Sequence, residues 1–576
     1  MASNWKDSSA VSEGRNLSFP TGTGAVHNDL PAGTAFGTLA FGVESGERTI
    51  DGNGGSFAEV INASTATQTF EMPLTYAGDF KPETLGALTF KDLTVNGMFQ
   101  PVGSGDIQFA GETKIAKADV RYNVRTLDWD PTYPTGSWAN QNTGYVSANK
   151  MQMYLLRTLP GGHTTIDVLQ TNLAGQRRQV TLLEGDFTVG GADLNLGSDA
   201  IFAVKNGTTT FAGTYAPGTY GVNAYLAVHE DGHLVIPSFA ATTGQFLQID
   251  GVLDMADAST TGNLYLRHNG TFNANRLAGS GAVYVDGVTM GPLDAGLVIM
   301  SNLTVEKGNA PVPGVTFRTS LPDGTPSQVS LVGGFAQNAE APLIVTGSGT
   351  FTWSRADALA LAMPLTVAAG ATADFSMCKS LALNGGVTLD AGATLVVPSA
   401  NGVPAVSFAS KPTLPAEGTA MLVIDSTALQ AAGTYTLVET GCTAADLEHL
   451  AIAFSGANAG SFSATLTVED GALKAVVTRA AATGPMTAKL VLAGYDGKTT
   501  LANFPVCVKL PTGVPGFSYA DAQADGSDVW FSDAAGNRLA QDVDTWNVNG
   551  DSIIWVTVPQ VEGRDTAIFM HWGSTE

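Results

Sequence analysis

The sequence predicts an all-β chain of short strands stacked as internal repeats, and three observations carry that expectation. Charged residues make up only 14% of the chain, against about 25% in ordinary globular domains, while 44% is hydrophobic and 67 residues are glycine. A chain of that kind, rich also in Thr, Ala and Val, favours many strands and tight turns over long helices. The other two observations are recurring phrases, which mark a repeat architecture before any single motif does. A Gly-Ser-Gly turn followed by apolar–polar–apolar alternation, the period of a half-buried strand, occurs at Gly103–Phe109, Gly279–Val285 and Gly347–Trp353. A turn-plus-strand phrase occurs at Ala369–Phe375, Ala391–Val397 and Glu469–Leu473.

Along the chain, residues 1–180 are expected to form either the N-terminal part of this array or a separate β cap, with a loop inserted at 121–145. Residues 181–480 carry the repeats. GDFTVGGADLNLGSDAIFAV (185–204) and LALNGGVTLDAGATLVV (381–397) are strand runs punctuated by Gly, Asn and Asp. Such units cannot bury an apolar face alone, but they can stack on their neighbours. TAADLEHLAIAF (443–454) has room for a helical turn or two. The segment AATGPM (481–486) reads as a linker, and residues 487–576 as a second domain, because the composition changes there. Trp530, Trp546, Trp555 and Trp572, four of the eight tryptophans, all lie beyond it.

The G-S-G-T and A-G-A-T-L phrases, with GTYTLVETG (433–441) leading to DGALKAVV (470–477), resemble the right-handed parallel β-helix of autotransporter-like bacterial surface proteins. The resemblance covers roughly residues 1–480 and implies a β-helical solenoid. No outer-membrane barrel follows, so it does not imply self-secretion. The C-terminal phrases Asn503-Phe504-Pro505-Val506, Thr545-Trp546-Asn547, Ile554-Trp555-Val556-Thr557-Val558-Pro559 and Met570-His571-Trp572-Gly573 resemble the bacterial domain of unknown function 2341. That family implies a small β domain of large exported proteins and brings no activity with it. Its tryptophans are expected in the core of a β-sandwich, with one free to line a sugar groove. The stop after Trp572-Gly573, and an N-terminus with neither basic nor apolar leader regions, read as the ends of a fragment whose export signal lies elsewhere.

The charge balance excludes some partners. With 28 basic and 52 acidic side chains the net charge is −24, which disfavours binding to nucleic-acid phosphates. No segment has the 18 or so apolar residues of a membrane span. Cys378, Cys442 and Cys507 are too few and too scattered for a disulfide framework or a metal site, and are expected as small buried hydrophobes.

Three stretches carry candidate chemistry. His229-Glu230-Asp231-Gly232-His233 has the spacing of a zinc-protease helix, but apolar strand runs flank it and Gly232 and Pro237 disfavour a helix. It is expected as an Asp-Gly turn, as in the sister phrase Glu469–Leu473. The insertion LDWDPTYPTGSWANQNTGY (127–145) gathers Trp129, Tyr133, Trp138 and Tyr145, with Arg121 and Arg125 just before. Aromatic faces beside polar groups suit stacking on sugars, so these six are the candidate ligand-binding residues. Asp128 and Asp130, two apart on one strand face, are the candidate catalytic pair if a glycosidic bond is cleaved; the same loop can equally cap the apolar coil. In the C-terminal domain Asp525, Asp528 and Asp533, with Asp521 nearby, are hard oxygen ligands at short spacing, open to calcium as the one cofactor or to turn formation. Nucleotide-binding loops and nucleophile elbows are absent from the sequence.

These readings converge on a non-enzymatic, secreted or cell-surface protein that binds glycans or another surface. A β-helical polysaccharide lyase or glycoside hydrolase and a structural spacer are the alternatives.

Overall fold

The computed structural model describes residues 13–573 apart from 104, 120–125, 128–150, 171–178, 192–199, 216–224, 242–244, 309, 311, 431, 480–484, 493, 494, 496, 498, 512, 513, 515, 524, 549 and 564. The chain is all-β, and its strands wind a parallel β-solenoid of about 14 turns. Its described helical segments are short 3-10 turns, Ala444–Glu448 among them. Among the described residues no helix is long and apolar enough to cross a membrane. The chain divides into two compact units, residues 1–343 and 344–576.

In the first unit, strands one coil apart pair in parallel. Along one face Gln245–Ile249 pairs with Leu264–Arg267, that strand with Ala282–Asp286, and that in turn with Asn302–Val305. Alternate side chains point to opposite faces of a strand, so Leu264, Leu266, Val283, Val285, Leu303 and Val305 fill the interior. Earlier coils use aromatic rings for the same purpose: Phe70 and Phe90 are in register and fully buried, with ring centroids 5.2 Å apart. Parallel pairing thus turns an alternating sequence into continuous apolar columns.

The glycines of the first two Gly-Ser-Gly phrases sit at corners where coils touch. Gly103 and Gly279 have φ of 108° and 122°, and a Cβ on either would collide with the carbonyl oxygen of Thr84 or Thr260 in the adjoining coil. Gly105 and Gly281 press in the same way on the backbone of Gly86 and Gly262. Only glycine fits both the backbone angle and the gap.

The expected turn at Glu230–His233 is not a hairpin. Tyr225–Ala241 is one strand, its first part paired with Gln245–Ile249 and its second with Val252–Thr260. Asp231 and Gly232 pair in parallel with Asn206 and Gly207, beside a register shift. The strand therefore rounds a corner without reversing. The parallel neighbours on both sides dictate this path, and local Asp-Gly preference yields to them. The flanking runs are strands, as the sequence predicts.

The second unit continues with parallel strands: Thr350–Trp353, Thr372–Asp374, Thr394–Val397, Ala420–Asp425 and Leu450–Ser455 pair in succession. A second ladder runs through Ala358–Leu361, Ser380–Leu383, Val406–Phe408 and Gly433–Val438. It then changes sense, for Gly433–Val438 pairs antiparallel with Ala472–Arg479, and Ala472–Arg479 with Phe462–Glu469. Here the sister phrase is a true two-residue hairpin, with Asp470 and Gly471 at φ of 53° and 80°, both in the left-handed region that a type I′ turn requires.

Beyond it, Met486–Val491, Ala567–Trp572 and Trp530–Ser532 form one antiparallel sheet, and Leu501–Leu510, Ser552–Val561 and Gln541–Thr545 another. Both sheets send side chains into one hydrophobic cluster that includes Val508, Ile554, Val556, Phe531, Met570 and Trp572. Within the same unit Arg479, at the end of the hairpin, pairs with Asp521. It also donates to Ser518 Oγ at 2.7 Å.

Candidate binding faces

The six proposed ligand residues Arg121, Arg125, Trp129, Tyr133, Trp138 and Tyr145, and the pair Asp128 and Asp130, lie outside the described residues. What is described is the base of the segment. Thr126 and Leu127 pair antiparallel with Gln152 and Met151, within a sheet whose neighbouring pairings are parallel.

The calcium candidates are described, and each carboxylate is taken up by hydrogen bonds within the protein. Asp525 Oδ1 accepts from the Ser527 amide at 3.1 Å. Asp533 Oδ1 accepts from the amides of Ala535 and Asn537 at 2.9 and 2.8 Å, and Oδ2 from Asn537 Nδ2. Asp528 is buried and accepts from the Gln523 amide at 2.7 Å and the Gly573 amide at 2.8 Å, tying two distant segments together. Hydrogen bonds to the charged form, from the side chain and then the amide of Ser527 for Asp525 and of Asn537 for Asp533, hold these two carboxyls below the usual range. Among the described residues no group of three or more His, Cys, Asp or Glu side chains is placed to hold a metal ion. Asp521 instead faces Arg479; burial pushes its carboxyl upward and the guanidinium offsets part of that rise.

The four C-terminal tryptophans separate into distinct roles. Trp572 is in the core, and Trp546 packs against it from the edge. Trp530 stacks on His571 with centroids 3.9 Å apart and carries Arg538 on its ring. Trp555 alone of the four is strongly exposed, at 44%. His571 is bracketed by hydroxyls, Thr487 Oγ1 at Nδ1 and Ser532 Oγ at Nε2, both at 2.9 Å. Hydroxyls thus occupy both ring nitrogens, and Ser532 itself is buried. Burial lowers the His571 pKa.

Two outward columns on the first unit escaped the sequence reading. On one face Phe246, Tyr265 and Tyr284 occupy one register position. Their rings stack at 4.3 and 4.7 Å, within 11° of parallel. Arg267 lies over Phe246 and Tyr265 and pairs with Glu306 at 3.1 Å. Stacked rings cover one another's faces, so this column offers edges and hydroxyls to solvent.

On the next face Asp254, Asn273 and Gly291 share a register position. His233 Nε2 lies 2.7 Å from Asp254 Oδ2, Asn273 Nδ2 donates to Asp254 Oδ1 at 2.7 Å, and Arg318 Nη2 donates to Asn273 Oδ1 at 2.7 Å. The missing side chain at Gly291 makes room for the Arg318 guanidinium. The hydrogen bond to Asp254 raises the His233 pKa. The signal that would have found the first column is an aromatic residue recurring at the coil length, as Phe246, Tyr265 and Tyr284 do every 19 residues.

The cysteine expectation holds for Cys378 and Cys442, which are buried, and fails for Cys507, which is exposed. Cys507 stands opposite Trp555 on the outward row of its strand. Set against protein-family models, curated proteins and solved structures, the chain matches none.

Proposed function

We propose that the chain is a non-enzymatic, autotransporter-like bacterial protein, secreted or held at the cell surface. Its solenoid displays side-chain columns to glycans or to a neighbouring cell surface. The observation that carries this reading is the outward repetition on the first unit, the Phe246–Tyr265–Tyr284 column above all. A column repeats one chemistry coil after coil, which suits many weak contacts with a repeating polymer better than a single enclosed pocket. The winding is taken as right-handed, the sense that parallel crossovers adopt in nearly all cases. The two three-stranded sheets that follow form a small β-sandwich of the kind found in the domain of unknown function 2341. A net charge of −24 keeps the surface away from nucleic acid.

The test is a glycan array probed with the full chain. The reading expects retention on at least one class of glycan that weakens when Tyr265 and Tyr284 are both replaced by Ala. Retention on no glycan would sink it and leave the chain a spacer.

A further inference from the structure

We infer that the outer face of the sheet Leu501–Leu510, Ser552–Val561, Gln541–Thr545 binds a neutral glycan chain, with Trp555 as the stacking platform. This rests on the glycan reading above and adds a site to it, on a strand in the second unit. Along Ser552–Val561 burial alternates: Ile554, Val556 and Val558 face the core, while Trp555 and Thr557 face out. The register fixes what surrounds the indole. Cys507 stands opposite it on one side and Asp542 on the other, and Pro505 stands opposite Thr557. Directly opposed side chains have Cβ atoms about 4.5–5.5 Å apart, so one sugar ring on the indole reaches its neighbours.

The chemistry of that row is specific. Cys507 and Pro505 are short and leave the indole standing above them. The apolar C–H face of a pyranose stacks on the ring, and its hydroxyls donate to the exposed Asp542 carboxylate or exchange hydrogen bonds with Thr557. Charge sets the class of ligand. Asp542 and Asp544 are exposed on the same strand, and the nearby cation Lys509 is already paired with Asp551 at 2.6 Å. A uronate or sulfated chain would meet like charge, and a neutral one would not. The other C-terminal tryptophans have packed rings, so the assignment falls on Trp555 alone.

The experiment measures retention of the full chain on insoluble cellulose, chitin, xylan and β-1,3-glucan, with pectate and alginate gels as the acidic counterparts. The chain is compared with its Trp555→Ala, Trp555→Phe and Asp542→Asn variants after each melting curve is recorded. The expected result is retention on a neutral polymer, weakened roughly tenfold by Trp555→Ala, less by Trp555→Phe, and also reduced by Asp542→Asn. If Trp555→Ala melts early, the Trp555→Phe and Asp542→Asn variants decide the matter alone. Unchanged retention in the folded Trp555 variants would overturn this site and leave the glycan reading standing. Stronger retention on the acidic gels would overturn the ligand class. A parent chain retained on none of the polymers would overturn both the site and the reading beneath it.

Discussion

Gly279 turns its corner at φ 122° with the Thr260 carbonyl oxygen where a side chain would stand. Gly324 also has a positive φ, of 88°, yet a Cβ there would meet nothing within 4 Å. Gly279→Ala is therefore expected to destabilise more than Gly324→Ala. The backbone angle alone costs about 1–3 kcal/mol, and urea titration of the two variants would read the difference. His233 offers a pH test. Its folded pKa is raised above the ordinary 6.5 by Asp254, so its proton contributes stability that is fully present below that value and is lost as pH rises through the raised one. The imidazole should titrate above 6.5 by NMR in the parent and move down in Asp254→Asn; an unshifted imidazole in the parent would remove the pair from the account. Residues also mark where the sequence was ambiguous. Glu230–Leu234 and Glu469–Leu473 differ in one residue, yet one follows a parallel corner and the other makes a hairpin. Local Asp-Gly preference favours a turn in both, and the strands alongside decide its form.

At the scale of elements, the repeat phrases were legible because corner glycines and alternating apolar residues are local signals. The columns were not, since their members come from different coils and no short window contains two of them. The C-terminal alternation was legible in the same partial way: it separates Trp555 from Ile554 and Val556 without saying which set faces water. The hairpin Phe462–Arg479 closes its ladder with antiparallel strands, and its last residue is a part-buried cation. Arg479 and Asp521 side chains are each only 10% exposed, and Phe462 lies beside the guanidinium. Arg479→Ala leaves the Asp521 carboxylate without its cation and is expected to cost about 3–5 kcal/mol. A paired Arg479→Met, Asp521→Leu variant should recover much of that loss in a double-mutant cycle. In the first unit, Leu266→Ala opens the interior column and should cost about 2–5 kcal/mol. Tyr265→Ala, one residue along and facing outward, should cost less, and thermal melts of the two would show the order.

For the molecule as a whole, the all-β class and the stacked repeats follow from composition and phrase repetition. Those signals are spread over hundreds of residues and do not depend on one position. The candidate site was legible only in part. Aromatic residues in the C-terminal domain drew attention, but exposure distinguishes Trp555 from Trp572, and exposure is a property of packing. The candidate residues of the insertion at 121–145 lie outside the described residues, so the first candidate stands on its sequence alone. A chain with 24 more acidic than basic side chains should bind neither DNA nor acidic polymers, and lowering the salt should weaken contact with the latter further. The central claim is retention of glycan without turnover. It is tested most directly by incubating the full chain with a polysaccharide that retains it and following bound protein and soluble reducing ends in the same samples over time. The account predicts a constant bound fraction and no accumulation of reducing ends. A steady, protein-dependent release of oligosaccharide would contradict it and make the chain an enzyme.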